Sequence, residues 1–452
     1  VRRAGLLEPR GVVLGKLDRD YLRHDGEEHV ALVGPTRSGK GVDVIIPTLL
    51  TWRGSVIVTD PKDGENYDVT AGWRGTLGPV YAFTPHRPGG VRINVLDSVL
   101  ARLKTRDEFR WAYRIGSSLV APEKMAQENH TSLHFRELAA LLLTAVILHV
   151  CYTAKRKSLA GVWEFMTQQH DSLDKGLKAM ATTAHVSGGV HQAISAMTKA
   201  IKNITGDREL SSVWSTAIRP LVIYNDDWVA SSTDTSDFDL HALQYGDDPV
   251  SLYLIAADPL ELELLHPLYR VVLDVTLGEL MGHKVRTWKH RLLNVVDEMP
   301  AYGYTRAFEK GIPVKAGYGM KDLLITQDLE SLWEVYGRTT AIWGNCKVKV
   351  FFTPDNDLTA KRISDNMLGD TTVEQQVRHE GGNPAGKTSS VTYQYHGRRL
   401  LTPDEVMDLP ADKGIARIGG IKPILFDKFD YRFEADFQPR LLPVPQGPDP
   451  TG

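Results

Sequence analysis

Cysteine is almost missing from these 452 residues: only Cys151 and Cys346 occur, without metal-ligand spacing. That excludes a disulfide framework and a cysteine-built zinc site, and it fits a reducing compartment. Both thiols read as small core residues rather than nucleophiles. An excess of charge of either sign is lacking too, since 53 Lys and Arg face 56 Asp and Glu for a formal net charge of −3. Any contact with nucleic acid must therefore come from a local patch or from pore-lining residues of an assembly. No apolar run is long enough to span a bilayer. The longest, residues 138–150, is broken by Thr144 and His149 and reads as a buried core helix. No segment reads as a signal peptide, and no internal repeat is visible. What remains is a globular composition, 42% hydrophobic and 24% charged, in a chain too long for one ordinary core. Two or three domains are expected.

The most informative stretch is His29-Val30-Ala31-Leu32-Val33-Gly34-Pro35-Thr36-Arg37-Ser38-Gly39-Lys40-Gly41. An apolar strand runs into a glycine turn, and a lysine stands before a helix. Glycines let backbone N–H groups converge on phosphates, and a helix N-terminus adds positive potential. Lys40 can then reach the β- and γ-phosphates of a nucleoside triphosphate. Gly34, Pro35, Thr36, Arg37, Ser38, Gly39, Lys40 and Gly41 are the candidate nucleotide-binding residues. Gly41 stands where a Ser or Thr hydroxyl normally holds Mg²⁺. Residues 42–50 read as a buried helix that Pro47 kinks or shortens.

Ser55-Val56-Ile57-Val58-Thr59 predicts a second strand, ending in Asp60-Pro61-Lys62. Asp60 and Lys62 could meet phosphate, metal or a neighbouring subunit, or could simply close the strand. Residues 80–83 predict another short strand before a Pro/Gly-rich loop. From about Asn94 to Tyr224 the texture becomes helical, with apolar spacing over 101–119, 135–154, 173–180 and 190–204. A polar turn cluster at 231–237 ends it, and strand texture returns at 250–257. An α/β domain with an all-helical insertion is the expected plan. Arg291-Leu292-Leu293-Asn294-Val295-Val296 then predicts a buried strand ending in Asp297-Glu298. An Asp at such a strand end can hold Mg²⁺ through water, and an adjacent Glu can polarise the attacking water. The strand at 322–326 ends in Gln327-Asp328. Gln327 could sense the γ-phosphate or cap the following helix.

These pieces together resemble the TraG-like type IV secretion coupling proteins. The resemblance rests on Gly34 to Gly41, Asp297-Glu298-Met299-Pro300, Ala316-Gly317-Tyr318-Gly319 and Ile325-Thr326-Gln327-Asp328-Leu329. Asn345-Cys346, Thr359-Ala360 and Leu401-Thr402-Pro403-Asp404-Glu405-Val406 add to it, and it extends from about Gly11 to Phe437. It implies a RecA/FtsK-like P-loop nucleotide-binding domain in two parts, 1–94 and 240–440. An all-α substrate-recognition domain at 95–239 and a disordered tail at 441–452 complete the plan. It also implies ATP and Mg²⁺ as cofactors, with Asp297 on the metal through water, and a ring of six subunits. The ring would stand at the cytoplasmic face of the bacterial inner membrane, attached through a missing N-terminal segment. Arg2, Arg3 and Arg10 read equally as the flank of such a segment or as an ordinary basic terminus. The expected partners are the secretion channel components and the cargo, either a relaxase with single-stranded DNA or effector proteins. The chain departs from the family pattern at Asp60-Pro61-Lys62-Asp63-Gly64-Glu65-Asn66, where Asp63 stands between the Lys and the Gly.

Other residues have plainer readings. His130, His134 and His149 do not converge at metal spacing. Arg102, Lys104, Arg106, Arg110 and Arg114 make either a solvated face or a DNA groove. Arg338 and Arg362 are candidates for an arginine finger between subunits. Three functions stay open: an ATP-driven translocase, a cargo-docking adaptor whose nucleotide only switches assembly, and an FtsK-like DNA pump outside secretion.

Overall fold

The apolar runs before the two chemical motifs become neighbouring strands of one sheet in the computed structural model. It describes residues 1–125, 130–169, 173–203, 207–282, 287–383 and 386–445. In chain order the strands are β1 (Val12–Leu17), β2 (Asp20–His24), β3 (Val30–Val33), β4 (Ser55–Asp60), β5 (Val80–Phe83) and β6 (Ser251–Ile255). There follow β7 (Leu292–Val296), β8 (Met320–Thr326), β9 (Val348–Phe352), β10 (Asp370–Asn383), β11 (Gly386–Arg399), β12 (Lys413–Ile418) and β13 (Ile424–Asp427). Eleven of them form one sheet in the order β2-β1-β13-β12-β9-β3-β8-β7-β4-β6-β5. From β9 to β5 every pairing is parallel, and β12, β13, β1 and β2 add an antiparallel wing. The β3, β4, β6, β7 and β8 side chains are buried throughout, as expected of parallel strands covered on both faces. Alternate residues serve opposite cores: Ala31, Val33 and Ile57 face one, and Val30, Leu32, Val56 and Val58 the other.

The stretch expected as one kinked helix over 42–50 is a π-turn, Gly41–Ile45, leading into the α-helix Ile46–Thr51. Ile46 N–H reaches back to the Gly41 carbonyl, and Pro47 stands in the first turn of the α-helix, where a missing N–H costs little.

The helical insertion is built around His130–Thr153, flanked by Glu108–Leu119, Gln192–Lys202 and Asp207–Ile218. The apolar run thus extends well beyond 138–150: at 24 residues the helix is long and apolar enough to cross a membrane. Two thirds of its apolar window is buried inside the fold, which makes it the insertion's core helix. The expected helix over 101–119 starts only at Glu108, because Lys104 takes a left-handed φ of 63° and its N–H is held by the Glu108 carboxylate. Arg102 and Arg114 stack on Trp111, with guanidinium carbons 4.5 and 4.3 Å from the ring centroid. Those two are packing residues, whereas Lys104, Arg106 and Arg110 are exposed. The insertion also shares a core with the long helix Pro259–Gly282. Ser118 donates to Asp274 (2.6 Å), Arg102 pairs with Glu279 (2.6 Å), and Arg270 donates to the Leu119 carbonyl (3.0 Å).

Both cysteines are free and buried, and burial pushes each thiol up to about 12. Of the tail expected to be disordered, Leu442 and Pro443 place their carbonyls over Gly72, where any Cβ would lie 2.2 Å from the Leu442 oxygen. Residues 446–452 lie outside the described residues.

Candidate functional site

The chain leaves β3 at Val33 and folds into a tight loop whose first N–H, on Gly34, donates to the Thr326 carbonyl of β8 (3.1 Å). Gly39 has φ +93°, and a Cβ there would lie 2.2 Å from the Asp43 carboxylate, so only glycine fits. Arg37 also takes a left-handed φ, 63°. Lys40 lies inside the loop, donating to the carbonyls of Gly34 (2.6 Å) and Pro35 (3.0 Å). Burial lowers the Lys40 pKa, and the nearby Glu298 and Asp297 oppose that shift. The loop rests on Lys428, which follows β13. Its ammonium donates to the carbonyls of Ser38 (2.6 Å) and Ala411 (2.7 Å), stands 3.9 Å from Asp43, and lies 4.5 Å above the centre of the Phe352 ring.

The acidic side comes from the adjoining strands. Because β3, β8, β7 and β4 are parallel neighbours, their carboxyl ends share one edge of the sheet, where open α/β folds bind ligands. Asp297 follows β7 and is 7% exposed, with its carbonyl accepting from Thr59 (3.2 Å). Burial raises its pKa, and Lys62 and Lys40 pull it back. Glu298 takes the left-handed conformation at φ 52°, which turns its side chain away from the strand direction. Its carboxylate accepts from Gln327 (3.1 Å), and burial raises its pKa. Asp328 caps the helix Leu329–Tyr336 by accepting from Ser331 N–H (2.7 Å), which leaves Gln327 to face Glu298. Asp60 closes its strand: it accepts from the N–H groups of Asn66 (2.9 Å) and Tyr67 (3.0 Å) at the start of Glu65–Gly75. The additional Asp63 fits by a left-handed turn, φ 50° followed by Gly64 at 90°, and pairs with Arg87 (2.6 Å).

The loop, the acids after β7 and Gln327 line one cavity of about 850 Å³. Thr36 to Gly41 and Lys62 form one side, Asp297, Glu298 and Gln327 the floor, while Gly34 and Pro35 stand behind the loop as acceptors for Lys40. The far wall holds Glu123 and Lys124, from the insertion, and Glu263 and His266, from Pro259–Gly282. Sequence reasoning missed that wall, as it missed Lys428, since single residues far from either motif carry no spacing signal. Arg338 and Arg362 lie outside the cavity. Arg338 is exposed and stacks on Trp333 (5.5 Å), and Arg362 sits on Asp357–Ile363. No group of three or more His, Cys, Asp or Glu that could hold a metal exists among the described residues. His149 instead pairs with His185 (2.8 Å), and His134 with Glu209 (2.8 Å).

Chemically the cavity suits a polyphosphate with a divalent cation. A loop of backbone amides and a lysine face buried carboxyls, and the Ser38 hydroxyl has no hydrogen-bond partner among the described residues. At Gly41 a Cβ would meet nothing within 4 Å, so the place of the usual hydroxyl is open space, and the charges of both Glu298 and Asp297 act on the loop lysine.

Comparison with known proteins gives a consistent result. The family model for type IV secretory system conjugative DNA transfer matches residues 3–446. Conjugal transfer protein TraG of Escherichia coli is 36% identical over 413 residues, covering 87% of this chain and 63% of the relative. Protein VirD4 of Agrobacterium fabrum (strain C58 / ATCC 33970) is 28% identical over 454 residues, 95% of this chain and 64% of the relative. The chain thus spans under two thirds of the length of either. Among solved structures, the plasmid coupling protein TrwB in complex with ADP and Mg²⁺ superposes with a TM-score of 0.67 at 14% identity, covering 96% of this chain and 93% of TrwB. The unbound conjugative coupling protein TrwBΔN70 gives 0.69 at 14% identity, covering 94% and 90%. At that identity the likeness establishes the fold, a RecA-like α/β domain with its helical insertion.

Proposed function

The chain belongs to the type IV secretory system conjugative DNA transfer family, and from that premise we propose that it is an ATP-dependent coupling protein. It receives substrates for a type IV secretion channel and couples ATP hydrolysis to their transfer. The observation that supports this most is the convergence of Lys40, Asp297, Glu298 and Gln327 on one cavity from neighbouring parallel strands. The ADP and Mg²⁺ named for TrwB support the same ligands here.

In this reading the amides of residues 34–41 and the Lys40 ammonium hold the β- and γ-phosphates, releasing the lysine from its two carbonyls. Asp297, the buried acid after β7, would hold the Mg²⁺ that accompanies the nucleotide. The metal, when bound, supplies charge neutralisation at the phosphate oxygens. Glu298 accepts a proton from the attacking water, and Gln327 fixes that carboxylate through its 3.1 Å hydrogen bond. Lys428 positions the loop from below through Ser38. A ring of six subunits lets a neighbour complete the site, with Arg338 or Arg362 as the donated cation. The ring works at the cytoplasmic face of the bacterial inner membrane, with a relaxase on single-stranded DNA or effector proteins as cargo.

The test separates binding from turnover. Lys40→Ala is expected to keep the fold and abolish hydrolysis. Glu298→Gln should bind ATP and turn it over slowly, and Asp297→Ala should weaken Mg²⁺-dependent binding. Undiminished hydrolysis in Lys40→Ala would overturn the reading. Equal loss of binding in the two acid variants would assign them a structural role.

A further inference from the structure

The cavity's cations are distributed unevenly. Arg37, Lys40 and Lys62 come from the loop side, and among the described residues Lys124 is the cation that the helical insertion contributes. Burial and the nearby Arg270 lower the pKa of His266 on the same wall. Lys124 is paired with Glu334 (2.9 Å), and the two side chains are 38% and 55% exposed. A pair that open to water is weak, so a stronger anion displaces the carboxylate easily. Glu334 stands on Leu329–Tyr336, the helix capped by Asp328 next to Gln327, and the adjoining Val335 lines the cavity. Lys124 is itself held near the site by its own segment. Helix Glu108–Leu119, just before it, is bonded to Pro259–Gly282 through Ser118–Asp274 and Arg270–Leu119.

We propose that Lys124 is a second phosphate-binding lysine, supplied in cis by the helical insertion, which exchanges Glu334 for the terminal phosphate of the bound nucleotide. A lysine suits this exchange because it acts as a compact point charge on a flexible stem and needs no fixed geometry. The exchange ties nucleotide state to the insertion: with a triphosphate the insertion is drawn to the cavity, and with a diphosphate Lys124 returns to Glu334. This rests on the nucleotide-binding reading above.

Equilibrium binding of ADP and of a non-hydrolysable ATP analogue, both with Mg²⁺, tests it on the full chain, Lys124→Gln and Glu334→Gln. Lys124→Gln is expected to weaken the analogue about tenfold, as for loss of one charge-assisted contact, and to change ADP less than about twofold. Glu334→Gln should tighten the analogue, because Lys124 loses its competing partner; a merely structural ion pair would not behave so. Matching melting temperatures confirm that both variants fold. The proposal is overturned if Lys124→Gln binds both nucleotides as the parent does, weakens both alike, or if Glu334→Gln fails to tighten the analogue. A parent that binds neither nucleotide overturns the underlying reading instead.

Discussion

Asp60 is fully buried at the end of β4. Its carboxylate caps the helix Glu65–Gly75, and burial pushes it up to about 7. The unfolded chain releases that proton near pH 4, so between about 4 and 7 the folded state holds the extra proton. Stability therefore falls as pH rises through that window. Asp60→Asn keeps an acceptor for the two N–H groups and removes the titration. Melting temperatures across pH 4–8 should fall less steeply with rising pH in the variant than in the parent, with the greatest advantage at pH 8. An advantage equal at pH 4 and pH 8 would contradict this. Of the residues legible in the sequence, Asp297, Glu298 and Gln327 follow the ends of apolar strands and Lys40 closes the glycine turn after another, so hydrophobic pattern and chemistry point to the same positions. Lys428 and Lys124 were not legible because their meaning lies in which carbonyl or carboxylate the fold brings beside them, Ser38 in one case and Glu334 in the other.

Among the elements, β3 to β8 and the long insertion helix were legible from continuous apolar runs, whereas β9, which also pairs in parallel, was not. The hairpin of β10 and β11 was not. Its paired strands run from Asp370 opposite Arg399 to Asn383 opposite Gly386, apart from the main sheet. Its described side chains, over 371–376 and 391–399, are exposed on both faces, so no alternation of polar and apolar residues marks it. It is held at its base by Arg399–Asp365 and Arg398–Glu405. Replacing the hairpin by a short turn should shift the melting temperature by no more than about 2–4 °C, the effect of about 1 kcal/mol. The insertion should behave otherwise, although both motifs lie outside 95–239 and the sequence suggests that a linker could replace it. Its removal strips Asp274 of Ser118 and Glu279 of Arg102 and uncovers the apolar face of Pro259–Gly282. Asp274 keeps the Ala307 N–H and Glu279 keeps His241, so the main loss is the shared apolar cover, and this deletion should lower the melting temperature far more than loss of the hairpin. Equal effects of the two deletions would refute the shared core.

For the whole molecule, Arg338 and Arg362 lie outside the cavity, as an arginine donated to a neighbour in the proposed ring would. An arginine supplied in trans is worth about 10³–10⁵ in rate, so hydrolysis per chain should depend on assembly. The most direct measurement is ATP hydrolysis per chain over a series of protein concentrations, made on the parent, on Lys40→Ala, and on Lys40→Ala mixed with Arg338→Ala or Arg362→Ala. The expected result is turnover that rises steeply with concentration in the parent and is absent in Lys40→Ala. Partial activity should return in the mixture carrying the arginine that acts in trans. Turnover that survives Lys40→Ala, or that is absent from the parent at every concentration, would contradict a nucleotide-driven coupling protein.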